Sequence, residues 1–409
     1  MNLNSTPTKR STPRQKIHPL IWVVLISTML SCFGGSLFGK SISGYGWLVP
    51  LLVALVSLLK GRKGFSFPLR LWLPWIIVVV VYQLLADADN SFQRSIILLT
   101  PLVIGVAVSR IRLDEQGHLY FLRLCRGTAG VLILIVLYKT GLLFTGTLPF
   151  TSGLAPEVIT GSLLCVIFAS SYVLGNKRDL AWWSALAIIP VIAVTRMGMI
   201  GAAISLPFTL APVKIVKRFI FIGLLIVCSV TVFFTERVQK KMFYSGQGQI
   251  EDVKWDNPNF GTSGRSLIWE RMRSGIAESP WFGKGANASE EMISSITNGL
   301  THPHNDWLRL AYDYGYFGAI LFGLTSILQL LDLFKKARSS AGTTRLLFYA
   351  GASSILIFML FMLTDNIVLY AAFFGNLQFT VLGLAYGAHQ QSSANVSSGS
   401  HIRKRRIRW

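Results

Sequence analysis

The chain has 409 residues, 52% of them hydrophobic and only 14% charged, yet its formal net charge is +21. A soluble chain of this size carries about a quarter charged residues. A basic nucleic-acid-binding protein also could not contain the apolar runs of spanning length that recur from Ile21 to Ala385. Composition therefore excludes a soluble DNA-binding protein, leaves no nucleic acid among the partners, and defines an all-α polytopic membrane protein in contact with membrane lipids.

In chain order, residues 1–17 form a basic stretch (Lys9, Arg10, Arg14, Lys16) that runs into an apolar segment without an obvious small-residue cleavage site. That segment reads as a retained first span, with a cleaved signal peptide as the alternative. Residues 18–235 hold nine expected spans, at 18–33, 44–59, 71–86, 95–109, 127–144, 157–174, 181–195, 197–212 and 219–235. The seventh and eighth are short enough to be a tilted or broken pair. Residues 236–305 form a long polar loop, three further spans follow at 306–333, 346–363 and 367–387, and a basic tail occupies 388–409.

Alternate connections are basic: Lys60 to Arg70, Arg110 to Arg126, Lys177-Arg178, Lys214 to Arg218, Lys335 to Arg345, and Arg403-Lys404-Arg405-Arg406. The opposite connections (Gly34–Ser43, Asp87–Ser91, Thr145–Pro156, Asp365-Asn366) are poor in Lys and Arg. By the positive-inside rule, about twelve helices result, with both termini cytoplasmic and the long loop periplasmic. Lys240 and Lys241 do not contradict this, since loops this long largely escape the rule. Cys32, Cys125, Cys165 and Cys228 all fall in or beside apolar runs, as small core hydrophobes do.

Within the loop, Thr262-Ser263-Gly264-Arg265 begins a capped helix whose Ile268, Trp269, Met272 and Ile276 share one face, to lie on the membrane or on the bundle. Ser279-Pro280-Trp281-Phe282-Gly283-Lys284-Gly285 ends it.

Chemistry concentrates where the loop re-enters the membrane, at Thr301-His302-Pro303-His304-Asn305-Asp306-Trp307-Leu308. Only His302 and His304 are expected on the outer side, where a neutral imidazole suits general-base work. The plain alternative is a loop histidine beside a helix start capped by Asn305 or Asp306. The His-x-His pair lacks further outer His or Cys ligands, so neither a metal nor another cofactor is expected. Arg196 lies between two apolar stretches near the outer face, either lining a polar cavity or snorkelling. Arg265, in the first turn of the loop helix, is placed to bind an anion or is simply exposed. Together the two arginines and His304 would suit a lipid-linked sugar diphosphate, with arginines neutralising the leaving diphosphate and histidine deprotonating an acceptor hydroxyl.

Thr195-Arg196-Met197-Gly198, Gly264-Arg265 with Ile268-Trp269, the Ser279–Gly285 stretch, and His304-Asn305-Asp306-Trp307-Leu308 with Gly315 and Gly318 occur in this order. The pattern resembles the bacterial O-antigen ligase and polymerase superfamily, most closely between Gly261 and Gly318. The resemblance implies a metal-independent, inverting glycosyltransferase of the bacterial inner membrane, using an undecaprenyl-diphosphate-linked glycan donor. It gives His304 the catalytic role, Arg196 and Arg265 diphosphate binding, and His302 and Asn305 possible support. Ligase activity, with lipid A–core as acceptor, is the first expectation. Extension of a growing glycan by a repeat-unit polymerase is the alternative. A transporter or lipid-linked glycan flippase is the non-enzyme rival, and no acidic residue is evident within a span to couple an ion.

Overall fold

The computed structural model describes residues 17–37, 40–60, 64–144, 154–254, 257, 259–261, 265–297 and 299–389. The basic N-terminal stretch to Lys16, Arg62 and Lys63, residues 145–153, the helix cap at 262–264 and the tail from 390 lie outside the described residues. Hydropathy translates into helices α1 (Pro19–Phe33), α2 (Ile42–Tyr45), α3 (Leu48–Lys60), α4 (Leu69–Leu84), α5 (Ser91–Val108), α6 (Glu115–Phe144) and α7 (Ala155–Val173). They continue as α8 (Asp179–Ala187), α9 (Ile189–Ile192), α10 (Arg196–Ile204), α11 (Ile215–Phe233), α12 (Glu236–Met242), α13 (Arg265–Glu278) and α14 (Ala288–Ile296). The last are α15 (Asp306–Ser339), α16 (Gly342–Phe361) and α17 (376–389). A two-residue hairpin, Ser36–Leu37 against Lys40–Ser41, is the only sheet among the described residues.

Among the described residues, six helices (α5, α6, α7, α11, α15 and α16) are long and apolar enough to cross a membrane, and α1, α3, α4 and the α8–α9 pair are shorter apolar helices. The protein is therefore an all-helical polytopic membrane protein. At 1.5 Å per residue, the nine residues of α10 reach about 13 Å, less than half of a hydrocarbon core of about 30 Å. The short seventh and eighth segments thus form a broken pair, and Arg196 sits at the break. No residue of α11 is fully buried. One side of this apolar helix is partly covered, Phe221 meeting Tyr172 of α7 at 6.3 Å between ring centroids, and most of its surface faces outward.

Helix ends sort into two polar layers. In one, Arg110 Nη1 at the end of α5 donates to Leu58 O of α3 at 2.7 Å. There too Thr343 N of α16 donates to Glu115 of α6 at 3.1 Å, and Arg126 of α6 pairs with Asp179 of α8 at 2.8 Å. At the other end, Arg94 of α5 pairs with Glu290 of α14 at 2.8 Å, and Lys139 of α6 pairs with Glu157 of α7. The loop helices pack on this second layer. Between the layers, Trp75 of α4 meets Tyr314 and Phe322 of α15 at 5.3 and 5.1 Å between ring centroids.

Two expectations are corrected. Cys228 is exposed on α11, unlike the buried Cys32, Cys125 and Cys165, because it lies in the stretch 226–231 of that helix that nothing covers. Acidic residues do occur inside the helices: Asp313 beside Arg309, Glu157 beside Lys139 and Asp332 beside Lys336. Each is held by a cation, which offsets the cost of placing a carboxylate there.

The glycines of the loop motif create a clamp. Helix α15 breaks at Gly315, whose φ of 68° and ψ of 178° lie in a region that essentially only glycine occupies. The Ser279–Gly285 segment fills the break with backbone hydrogen bonds, Lys284 N to Tyr312 O (2.8 Å), Gly285 N to Asp313 O (3.0 Å) and Tyr316 N to Pro280 O (2.7 Å). Tyr82 at the end of α4 adds a hydrogen bond to Phe282 O at 2.7 Å. The loop is thereby fixed to the bundle immediately below the His304 segment.

Candidate functional site

His304 is positioned from both sides. Helix α13 buries Ile268, Trp269, Met272 and Ile276 against the bundle rather than against lipid, with Gly275 set against the Tyr312 ring. From that face, Trp269 Nε1 donates to Pro303 O at 2.7 Å. On the other side, the turn after α16 receives the segment: His304 N donates to Asn366 Oδ1 at 2.9 Å and Asp306 N to Met362 O at 2.8 Å. Asp306 Oδ2 in turn accepts from Val368 N at 2.9 Å, and Asn305 caps α15 by accepting from Leu308 N at 3.0 Å. These contacts hold His304 at a φ of 51°, an uncommon left-handed conformation for a residue with a side chain.

The ring meets a carboxylate. His304 Nδ1 lies 3.4 Å from Asp365 Oδ1 and 3.2 Å from Asn366 Nδ2. Asp365 Oδ1 also accepts from Tyr370 Oη at 2.8 Å and from Asn366 N at 2.8 Å. Burial pushes the Asp365 carboxyl up, but hydrogen bonds from His304, Asn366 N–H and Tyr370 outweigh it and hold the group below the usual carboxylate value. With its proton on Nδ1, the imidazole donates to this carboxylate and presents the Nε2 lone pair as a base.

Three cations gather beside this pair. Arg196 Nη2 donates to Gly261 O at 2.8 Å, and its guanidinium stacks 5.3 Å from the Phe260 ring centroid. The stretch between α12 and α13 folds back through a Phe243–Phe260 bridge, and Gly261 N donates to Met242 O at 2.7 Å, which brings the loop over Arg196. Arg265 Nη1 donates to Thr364 O at 3.0 Å, next to Asp365. Burial, then Arg196, then Arg265 push the Lys241 ammonium down. Burial also lowers Arg265, with Asp365 and Tyr370 opposing it. Two half-buried guanidinium groups, Arg196 and Arg265, with the more exposed Lys241 beside them, form a cluster of mutually repelling positive charges that is electrostatically prepared for a multiply charged anion.

His302 belongs to a neighbouring network. Arg94 pairs with Glu290 through two 2.8 Å hydrogen bonds, and Arg309 donates to Asn287 Oδ1 at 3.1 Å. Burial, Arg309 and Arg94 push His302 down to about 4. An unfolded histidine titrates near 6.5, so between about 4 and 6.5 the unfolded chain binds more protons than the folded one. The stabilisation is complete above the unfolded value and is lost as pH falls through this window, with an upper bound of about 3 kcal/mol. The melting temperature of the solubilised protein is therefore expected to fall between pH 7 and 5. In His302→Gln the pH slope should flatten; an unchanged slope would remove His302 as its source.

The structure thus brings Arg196, Arg265 and His304 together, places Asn305 as the cap of α15, and sets His302 in the adjoining network. Sequence reasoning missed Asp365 and Tyr370 as neighbours of His304. The available signal was an acidic residue in a short outer connection, on the same expected side as the histidine. It also passed over Lys241 as a mere exception to the charge rule.

Fold and site together define a polytopic membrane protein that carries a histidine–carboxylate pair and a cation cluster at one end of its bundle. Residues 180–323, from α8 into α15, match the family model described as O-antigen ligase, which supports membership of the O-antigen ligase superfamily. The matched stretch contains Arg196, Arg265, His302 and His304, while Asp365 lies beyond it. No curated protein matches the chain.

Proposed function

We propose that the protein is a metal-independent glycosyltransferase of the O-antigen ligase type. It acts at the periplasmic face of the bacterial inner membrane, with about twelve spans and both termini cytoplasmic. The donor is a glycan on undecaprenyl diphosphate and the acceptor a sugar hydroxyl of lipid A–core. The observation that carries the reading is the His304–Asp365 pair beside Arg196, Lys241 and Arg265. The segregation of basic connections to the opposite end of the bundle supports the orientation.

In this mechanism His304 Nε2 takes the acceptor hydroxyl proton as the oxygen attacks the anomeric carbon. The bond from that carbon to the diphosphate oxygen breaks, inverting the centre, and undecaprenyl diphosphate departs against the three cations. Asp365 stabilises the imidazolium that forms and fixes the ring, as carboxylates partnering catalytic histidines do.

Arg265→Lys keeps the charge but not the planar fork, so donor affinity should weaken about tenfold. Unchanged donor affinity would take Arg265 out of the site.

The functional test is the lipopolysaccharide profile of a deletion strain together with its undecaprenyl-linked glycans. Long chains retained on undecaprenyl diphosphate with bare lipid A–core are the expected result. Core carrying a single repeat, with no long chains, would instead assign a repeat-unit polymerase. An unchanged profile would overturn the lipopolysaccharide assignment.

A further inference from the structure

At the end of the bundle opposite His304, a cavity of about 470 Å³ opens between the link from α10 to α11, the last turns of α15 and the start of α16. Its walls carry three arginines, Arg218, Arg338 and Arg345, and no carboxylate among the described lining residues. Arg218 gives one hydrogen bond, from Nη2 to Thr209 O at 3.1 Å. The Nε groups of Arg218 and Arg345 are buried without a hydrogen-bond partner among the described residues. A buried guanidinium N–H left unpaired costs free energy, and three like charges around one cavity add repulsion. Aromatic rings fix two of the guanidinium groups, Arg345 at 5.6 Å from Tyr349 and Arg338 at 5.9 Å from Phe334. Stacking of this kind fixes a guanidinium plane without using its N–H edges.

We propose that this cavity binds the phosphate of an anionic membrane phospholipid. A phosphate supplies several acceptor oxygens to the unpaired Nε–H groups and neutralises the cluster. The volume falls within the range of small-ligand sites, and basic pockets between helices near the cytoplasmic face are a known chemistry for anionic headgroups. Lipid is favoured over a soluble phosphate because Ile215 lines the cavity at the start of α11, the helix with no buried residue. Acyl chains could therefore run along α11 while the headgroup enters the pocket. The site is separate from the glycosyl-transfer reading and does not depend on it.

The test is native mass spectrometry of the full chain, with phosphatidylglycerol and phosphatidylethanolamine supplied in equal amounts. Phosphatidylglycerol should be retained about tenfold more than phosphatidylethanolamine by the intact protein. That preference should vanish in Arg218→Gln/Arg345→Gln. The single variant Arg338→Gln, at an exposed position, provides a weaker perturbation and should reduce it partially. Equal retention of the two lipids by the intact protein, or an undiminished preference in the double variant, would overturn the proposal. So would thermal stabilisation by inorganic phosphate alone to the same extent as by phosphatidylglycerol, which would assign a soluble phosphate ligand instead.

Discussion

His304→Ala is expected to lower glycan transfer about a thousandfold, within the range of a lost general base, while leaving donor binding within about twofold. The separation follows from the geometry. Arg196 and Arg265 are held by Gly261 O and Thr364 O, Lys241 is carried by α12, and none of these depends on the imidazole. Folding should also survive, because the segment is tied down by backbone groups: Pro303 O to Trp269, His304 N to Asn366 and Asp306 N to Met362. Asp365→Asn should give a smaller loss, about tenfold to a hundredfold, with an altered pH–rate profile because the ring loses its carboxylate partner. Transfer rate and donor affinity measured on the purified variants decide the matter. Full transfer by His304→Ala would remove the histidine from the chemistry.

Gly315→Ala carries the largest expected structural effect. A Cβ at this position would lie 2.2 Å from Trp281 O, and one at Gly283 would lie 2.5 Å from Gly315 N. Backbone lies on both sides, so neither contact can relax by turning a flexible side chain. The combined strain and overpacking are on the order of 3–5 kcal/mol. Helix α15 would straighten or the Ser279–Gly285 clamp would detach, and with it the support beneath His304. Low yield, a large drop in melting temperature and rapid proteolysis near Gly285 are the expected readouts. A variant that melts like the intact protein would show that the break is not required.

Apolar runs made the all-helical membrane architecture legible in the sequence. A cap by Asn305 or Asp306 was legible from their place before an apolar run, with the choice of Asn305 made by its bond to Leu308 N. The side of α13 that packs was legible too, since Ile268, Trp269, Met272 and Ile276 recur at helical spacing. What covers that face was not, because hydropathy does not distinguish lipid from a neighbouring helix. The arginines and His304 drew notice as polar groups in costly places, but Asp365 lies 61 positions from His304 in a connection valued only for lacking cations. Its role arises from the turn between α16 and the Ile367–Leu369 helical turn, which no local pattern announces. The glycines at 283 and 315 were visible as a motif, yet their mutual fit depends on two segments meeting edge to edge. Arg309 and Asp313 went unnoticed because their apolar surroundings masked an i,i+4 ion pair, which the structure makes almost fully buried.

The most direct test of the central claim is transfer by the purified protein, reconstituted with an undecaprenyl-diphosphate glycan and lipid A–core in the presence of a divalent-metal chelator. The account predicts glycosylated core and released undecaprenyl diphosphate, in equal amounts and at an undiminished rate. Absence of transfer until a divalent metal is restored would contradict it.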